Sequence, residues 1–140
     1  MPTRVSDSDY AALAEIRYRI RCFLNFSEAA AREVGLEPQQ HQLLLAIRGL
    51  PAGETPTIRR IAERLQIQHN STVELVRRCV DNGLVEKRED ETDRRAVRLD
   101  ITRRGEGLLE KLARSHRAEL RNAAPALQHA MNALLGEEAA

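Results

Sequence analysis

Two adjacent arginines, Arg94 and Arg95, stand in the middle of the stretch DETDRRAVRLDITRRG (residues 90–105). Apolar and polar residues alternate over positions 96–101, which predicts a strand and puts both arginines at the tip of a hairpin. An arginine at such a tip can bind DNA phosphates or enter a narrow minor groove, where negative potential is concentrated. Asp93, directly before the pair, is expected either to orient one arginine or to cap the turn.

A second group of polar residues lies where a short break leads into the helical segment HNSTVELVRRCVDNGLV (residues 69–85). Every member can donate or accept hydrogen bonds, and the members are Gln68, His69, Asn70, Ser71 and Thr72. Ser71 and Glu74 form an S-x-x-E capping box, which predicts that the helix begins there. In a helix-turn-helix, the first residues of the second helix face base edges in the major groove. The group is therefore a candidate base-reading site, with helix capping as the other role for Ser71 or Thr72.

Two arginines further along this helix, Arg77 and Arg78, are candidates for contacts with the DNA backbone. Glu74 could accept a hydrogen bond from a cytosine amino group. A carboxylate near phosphates is unfavourable, so a pair with Arg77 or Arg78 within the helix is the favoured interpretation. The inward stripe of the helix is predicted to consist of Val73, Val76 and Val80.

Helical periodicity and capping residues predict the elements that hold these side chains. A first helix spans residues 8–34 and ends at Gly35, and a second begins near Pro38. Thr57 caps a third helix. A short break at 66–68 then leads to the helix with the polar start. The apolar stripe of the third helix is Ile58, Ile61, Ala62 and Leu65.

A hairpin and C-terminal helices complete the predicted order. The strands cover residues 84–88 and 96–101. Thr102 caps a long helix that runs to about residue 120, and Pro125 is expected to separate or kink off a last helix. Two helices with a short break, followed by a hairpin, have the order of a winged helix-turn-helix.

The distribution of charge along the chain is more informative than the net charge. The 140 residues carry a net charge of +1. Residues 57–105 contain 12 basic and 9 acidic residues, a net +3, and the rest of the chain contains 10 and 12, a net −2. Twenty of the 22 basic residues are arginine, which binds phosphates and base edges in a fork. A genome biased toward arginine codons is the other explanation. The aromatic content of 3% favours a helical protein over a β-sandwich.

No constellation of residues indicates catalysis, a metal site or a cofactor. Cys22 and Cys79 have neither CxxC nor metal-ligand spacing, and the four histidines lack the paired spacing of a zinc site. Nothing resembles a catalytic triad, a paired-carboxylate site or a phosphate-binding loop. No signal peptide opens the chain, and no apolar run approaches about 18 residues. We therefore expect a cytoplasmic protein that is not an enzyme and has no membrane partner.

The segments STVELVRRCVDNGLVEKRED and DRRAVRLDITRRG together resemble the MarR (multiple antibiotic resistance regulator) family. The family pattern is a recognition helix ending in Gly-Leu-Val, a wing with Asp-x-Arg, and Leu-Thr-x-x-Gly opening the next helix. Asp93 and Arg95 match the wing. The last element is matched, with isoleucine in place of leucine, by Ile101, Thr102 and Gly105. The stretch GLEPQQHQLLLAI resembles the entry to the second helix of the family, so the resemblance covers nearly the whole chain.

The resemblance implies a homodimer in which the first and last helices of both subunits interlock and the DNA-binding lobes hang from them. It also implies loss of DNA affinity on binding a small phenolic or lipophilic effector, or on cysteine oxidation. His41 is the candidate for lining an effector pocket, and Arg78 falls where the family often has arginine. Cys22 lies much further from the helix start than the redox-sensing cysteines of the family, so redox sensing is kept as an alternative only.

The expected fold is mainly α with a small β-wing, a winged helix-turn-helix with N- and C-terminal dimerisation helices. We expect one domain over residues 1–140, with dimerisation helices at 8–34 and 103–136 and a DNA-binding lobe at 38–102. The expected function is that of a sequence-specific transcriptional regulator, a ligand-responsive homodimeric repressor that binds a pseudo-palindromic operator in double-stranded DNA. The alternatives are a helical dimerisation or adaptor protein without specific DNA binding, and a cysteine-based redox-sensing regulator.

Overall fold

The computed structural model describes residues 4–136, and within them the chain forms five helices and two strands. In chain order these are α1 (Asp7–Glu33), α2 (Pro38–Arg48), α3 (Ile58–Leu65), α4 (His69–Asp81), β1 (Val85–Glu89), β2 (Val97–Ile101) and α5 (Arg103–Leu135). The predicted class, mainly α with a small β-wing, is confirmed. No helix in this part of the chain is both long and apolar enough to cross a bilayer.

The chain divides into two compact units. One comprises residues 31–113 and contains α2, α3, α4 and both strands. The other comprises the residues up to 30 and those from 114 onward, which hold most of α1 and the later part of α5. The prediction of one domain over residues 1–140 stays a prediction.

The core of the 31–113 unit is aliphatic and comes from α2, α3, α4 and the hairpin. Its fully buried side chains include Leu43, Leu44, Ile61, Leu75, Leu84 and Leu99. Burial of each such side chain contributes about 1.5–3 kcal/mol to stability. The helix-turn-helix and the hairpin therefore pack on one shared core.

Local signals shape the connection between α3 and α4. Thr57 caps α3 as predicted, because its Oγ1 accepts a hydrogen bond from the Arg60 backbone N–H at 3.1 Å. The helix ends at Gln66, which has a left-handed φ of 57°. Gln68 is extended and is the N-cap residue of α4, although its side chain makes no capping hydrogen bond.

The capping box predicted at Ser71 and Glu74 is wrong, because α4 already begins at His69 and Ser71 lies inside its first turn. The predicted inward stripe is also corrected. Val73 is 44% exposed and Val80 is only half-buried. Spacings of i, i+3, i+4 and i+7 describe the observed stripe, which consists of Thr72, Leu75, Val76 and Cys79.

The wing is an antiparallel pair in which Val85 lies opposite Ile101. Both strands begin one residue later than predicted, and residues 90–96 connect them. The backbone N–H of Leu99 donates to the carbonyl of Pro56 at 2.9 Å. This bond fastens the segment before α3 to the wing.

Gly35 ends α1 as predicted, with a left-handed φ of 82°. Its N–H donates to the carbonyl of Arg32 at 3.0 Å, and the N–H of Leu36 donates to the carbonyl of Ala31 at 2.9 Å. This pair of bonds satisfies the last carbonyls of the helix, and a glycine adopts the required backbone conformation without strain. Pro38 then opens α2.

Helix α5 continues through Pro125 to Leu135, so the predicted separate last helix is wrong. A proline inside a helix removes one backbone donor and crowds the preceding turn. The bonds made by residues on either side are sufficient here to carry the helix on.

In the unit formed by the ends of the chain, His116 of α5 is buried against α1. Its Nε2 lies 2.8 Å from Oγ of Ser27. The rings of Phe23 and Phe26 meet the imidazole edge-on, with centroids at 5.8 and 5.3 Å. This cluster joins the two helices within the unit.

Candidate nucleic-acid interface

An open groove of about 840 Å³ runs between the start of α4 and the wing. Its lining includes the cationic or hydrogen-bonding side chains Arg59, His69, Lys87 and Arg95. Apolar side chains also line it, among them Ile58, Val73 and Val97. Asp90 and Asp93 also line the groove, so its lining carries three cations and two carboxylates, a net charge of +1 beside an apolar surface. A net positive groove favours contacts with DNA phosphates.

The wing tip is shaped by Asp93. Its Oδ1 accepts a hydrogen bond from the Arg95 backbone N–H at 3.0 Å, and its carbonyl accepts one from the N–H of Ala96 at 3.0 Å. Of the two roles expected for Asp93, the structure has it cap the turn. Arg94 and Arg95 are both exposed, and Arg95 lines the groove.

The N-cap and first turn of α4 present four of the five predicted base-reading side chains to solvent. They are Gln68, His69, Asn70 and Ser71. Thr72 is the exception, because its side chain is fully buried and its Oγ1 donates to the carbonyl of Gln68 at 3.0 Å. The prediction of a DNA contact for Thr72 is therefore wrong, since its hydroxyl serves the helix itself.

Arg77 is held between two carboxylates of its own helix. Its Nε lies 3.0 Å from Glu74 and its NH1 lies 2.8 Å from Asp81. The hydrogen bond to Glu74 raises the pKa of Arg77 and lowers the pKa of Glu74. The predicted pair of Glu74 with an arginine in the helix is present, and the charge of Arg77 is largely neutralised on the surface of α4.

Arg78 bridges α4 to the start of α2. Its Nε lies 3.0 Å from Oε2 of Glu37, and its NH2 donates to Oε1 of Gln39 at 3.3 Å. Its side chain is 31% exposed, while that of Glu37 is 53% exposed. The geometry gives Arg78 a tethering role, and its predicted phosphate contact would require this pair to open.

Two cations of the groove, Arg59 and Lys87, were not among the residues singled out from the sequence. Lys87 lies opposite Leu99 in the strand register and therefore on the same face of the hairpin, which points toward the helices. Period-two alternation from Val85 could have revealed this orientation. Arg59 is the second residue of α3, directly after buried Ile58. Only the position of α3 beside the wing brings it to the groove.

The remaining candidates lie outside this groove. His41 is buried within the 31–113 unit, on α2. Cys79 is buried in the same unit, and burial raises the pKa of its thiol to about 12. Cys22 is half-buried on α1 in the other unit.

Comparison with known proteins gives a family match for the lobe and fold matches for most of the chain. Residues 34–96 match the model of the MarR family. AbsC, a MarR family transcriptional regulator from Streptomyces coelicolor, aligns with a TM-score of 0.71 and 19% identity over 87% of this chain and 82% of its own. A MarR family protein from Bacillus stearothermophilus aligns with a TM-score of 0.71 and 21% identity over 85% and 81% of the two chains.

A MarR protein from Peptoclostridium difficile aligns over 99% of this chain and 90% of its own, with a TM-score of 0.69 and 18% identity. Among curated proteins, none matches the sequence. At these identities the solved structures establish a shared fold.

Proposed function

From the match of residues 34–96 to the model of the MarR family and from the winged helix-turn-helix fold, we propose that the chain is a sequence-specific DNA-binding transcriptional regulator. The observation that supports the proposal most directly is the groove between α4 and the wing. Arg59 reaches it from α3, Lys87 from β1, and Arg95 from the loop between the two strands. Within the described residues, none of these three side chains has an ion pair with a carboxylate.

Neutralised and unpaired cations are distributed unevenly over the lobe, which supports a binding role for the groove. Arg77 and Arg78 of α4 pair with carboxylates of the protein, and Arg88 on the other face of the wing pairs with Asp100 at 2.8 Å. A phosphate approaching the groove meets cations that need not first release a carboxylate. Each phosphate so bound releases counterions, which contributes a large part of the affinity for DNA.

The exposed start of α4 supports sequence-specific binding. His69, Asn70 and Ser71 lie in the first turn of α4, a helix that the major groove of DNA can admit. Their side chains can read base edges there. The free backbone N–H groups of the same turn favour a phosphate. Base reading by α4 and phosphate or minor-groove binding by the wing are two parts of one proposed interface.

We further propose that the regulator is a homodimer. In the unit formed by the ends of the chain, α1 and α5 leave many large apolar side chains between 39% and 69% exposed. They are Tyr10, Leu13, Tyr18, Ile20, Leu24, Leu120, Met131, Leu134 and Leu135. A second copy that covers these side chains would bury apolar surface that a single chain leaves in water.

A homodimer presents two α4 helices, so its operator is expected to be pseudo-palindromic. We also propose that a small effector releases the protein from DNA, so that it acts as a repressor. This part rests on the family resemblance, with buried His41 as a candidate contact. An effector can shift the protein from its DNA-binding form to its released form only as far as its affinities for these two forms differ.

Selection of duplexes from a random DNA library tests the proposal. We expect one enriched motif with two related halves, bound by a species of twice the 15.8 kDa of one chain. Affinity for the motif should exceed that for unrelated duplexes at each of several salt concentrations. Enrichment of no motif, together with a dimer in light scattering, would favour the alternative of a helical dimerisation or adaptor protein.

A further inference from the structure

Val73 is an aliphatic side chain left 44% exposed on α4, in a segment where its apolar neighbours are buried. Leu75 and Val76 are each 1% exposed. The exposed side chain lines the groove between α4 and the wing, together with Lys87 and Arg95. With 44% of its surface open, this apolar side chain is available to whatever enters the groove.

The position of Val73 is that of a base-contacting residue. It lies one helical turn beyond His69, on the same side of α4, and both residues line the groove. Cations that line the groove can hold the backbone of a DNA strand. A side chain in the first two turns of α4 then faces the major-groove edge of the bases that this strand carries.

A valine cannot read hydrogen-bond donors or acceptors, which restricts the base it can recognise. Thymine is the base that presents an apolar group in the major groove, its C5-methyl, and contact with an apolar side chain is the way this methyl is read. The methyl lies on the side of the base near its own backbone, where Lys87 and Arg95 would hold the phosphates.

We propose that Val73 is a specificity-determining residue that reads the C5-methyl group of a thymine in each half of the operator. The inference rests on the proposed DNA-binding function and deepens it. His69, Asn70 and Ser71 would recognise polar base edges, while Val73 distinguishes thymine from a base without the methyl. The gain corresponds to removal of about one methyl group from water, or about four-fold in affinity per contact.

Deoxyuridine substitution tests the methyl contact without altering base pairing. Each thymine of the selected motif is replaced in turn by deoxyuridine, which lacks only the methyl group, and the affinity is measured at constant salt. Wild-type protein is expected to lose about four-fold at one position of each half-site. Val73→Ala is expected to bind the unmodified motif more weakly and to show little response to deoxyuridine at that position.

Leu45→Ala is the matched control. Leu45 is 50% exposed on α2 of the same lobe and lies in a different surface groove. Its alanine variant should keep the full response to deoxyuridine, so loss of the response in Val73→Ala alone supports the proposal. A melting curve identifies any loss of folding, and Val73→Thr, which keeps the shape and one methyl, provides a second variant expected to retain part of the response.

The possible failures are distinguishable. If a motif is selected but Val73→Ala responds to deoxyuridine as wild type does, the methyl contact is overturned and DNA recognition stands. A wild-type protein that selects a motif but responds to deoxyuridine at no position overturns it equally. If no motif is enriched from the library, the proposed function fails, and the role of Val73 fails with it.

Discussion

Gly105 lies so close to the carbonyl oxygen of Leu84 that a side chain at position 105 has no room. A Cβ at this position would clash with that oxygen and would lie 2.7 Å from Cγ2 of Ile101. Thr102 closes the same junction, since its Oγ1 donates to the carbonyl of Gly83 at 2.6 Å and accepts from the N–H of Gly105 at 3.1 Å. The Thr-x-x-Gly motif thereby packs the start of α5 against the chain leaving α4.

Gly105→Ala is expected to lower the free energy of unfolding, because backbone must move to admit the methyl group. Overpacking of this kind typically costs about 1–3 kcal/mol. Gly107→Ala is the matched control, since no atom lies within 4 Å of the added Cβ in the same helix. It should stabilise the protein by about 0.5–1 kcal/mol. Urea unfolding of both variants gives the comparison, and equal effects of the two substitutions would contradict the close approach.

The wing arginines are expected to contribute charge to DNA binding and little to folding. Arg94→Ala combined with Arg95→Ala should weaken operator binding and leave the melting temperature nearly unchanged. The slope of log K against log salt should flatten by about 0.9 for each phosphate no longer neutralised, hence by roughly two in a dimer that loses one contact per subunit. Arg48→Ala, which removes an exposed arginine of α2 paired with Glu106, should leave the slope unchanged.

An unaltered salt slope in the double arginine variant would mean that both side chains remain solvated in the complex. A drop in thermal stability without a change of slope would instead indicate that they serve the turn. Asp93→Ala separates these effects, because it removes the capping hydrogen bond to Arg95 and keeps both arginines.

The ion pair between Arg78 and Glu37 is expected to act in folding and to leave the salt dependence of DNA binding unchanged. Arg78→Gln and Glu37→Gln, alone and together, form a double-mutant cycle in urea unfolding. A partly exposed pair of this kind should give a coupling energy of at most about 1 kcal/mol. A flatter salt slope in Arg78→Gln would instead support the phosphate contact that the sequence predicts for Arg78.

Asn70 and Thr72 should differ sharply in their effect on sequence preference. Asn70→Ala removes an exposed side chain at the start of α4, and the preferred base at one position of each half-site should change, since a good base contact is worth about 1–3 kcal/mol. Thr72→Val keeps the shape of a buried side chain that bonds to its own helix. Its selected motif should be that of wild type, even if its stability falls.

Cys79 makes folding sensitive to alkaline pH. Burial raises the pKa of this thiol from 9.0 to about 12, so the unfolded chain releases the proton at a lower pH than the folded chain does. The corresponding stability is fully present below pH 9.0 and is lost as pH rises toward 12, by up to about 1.4 kcal/mol per pH unit. The slope of unfolding free energy between pH 9 and 11 should be shallower in Cys79→Ala.

A thiol-reactive dye offers an independent check on Cys79. At pH 8 the folded protein should react at half-buried Cys22 and leave Cys79 unmodified. Unfolding in urea should then expose the second thiol. Rapid labelling of both cysteines in the folded protein would contradict the burial of Cys79.

The sequence alone determined the features that depend on neighbours a few residues apart. The cap of α3 at Thr57, the glycine end of α1 at Gly35 and the Thr102 cap of α5 were all predicted, because each is a contact within four residues. The wing followed from period-two alternation and a turn. The polar start of α4 follows from the sequence as well, although the capping box puts the N-cap at Ser71, three positions after the observed N-cap Gln68.

Tertiary structure decided what depends on packing between distant segments. Arg78 meets Glu37 across 41 positions, and Arg59 and Lys87 converge on one groove only after α3 and the wing pack on a shared core. The same core decided that Thr72 turns inward and Val73 outward, since consecutive residues of a helix point about 100° apart and packing selects which of them faces the core. Rotation about a helix axis is fixed by what the helix packs against, and a single segment of sequence carries no record of that partner.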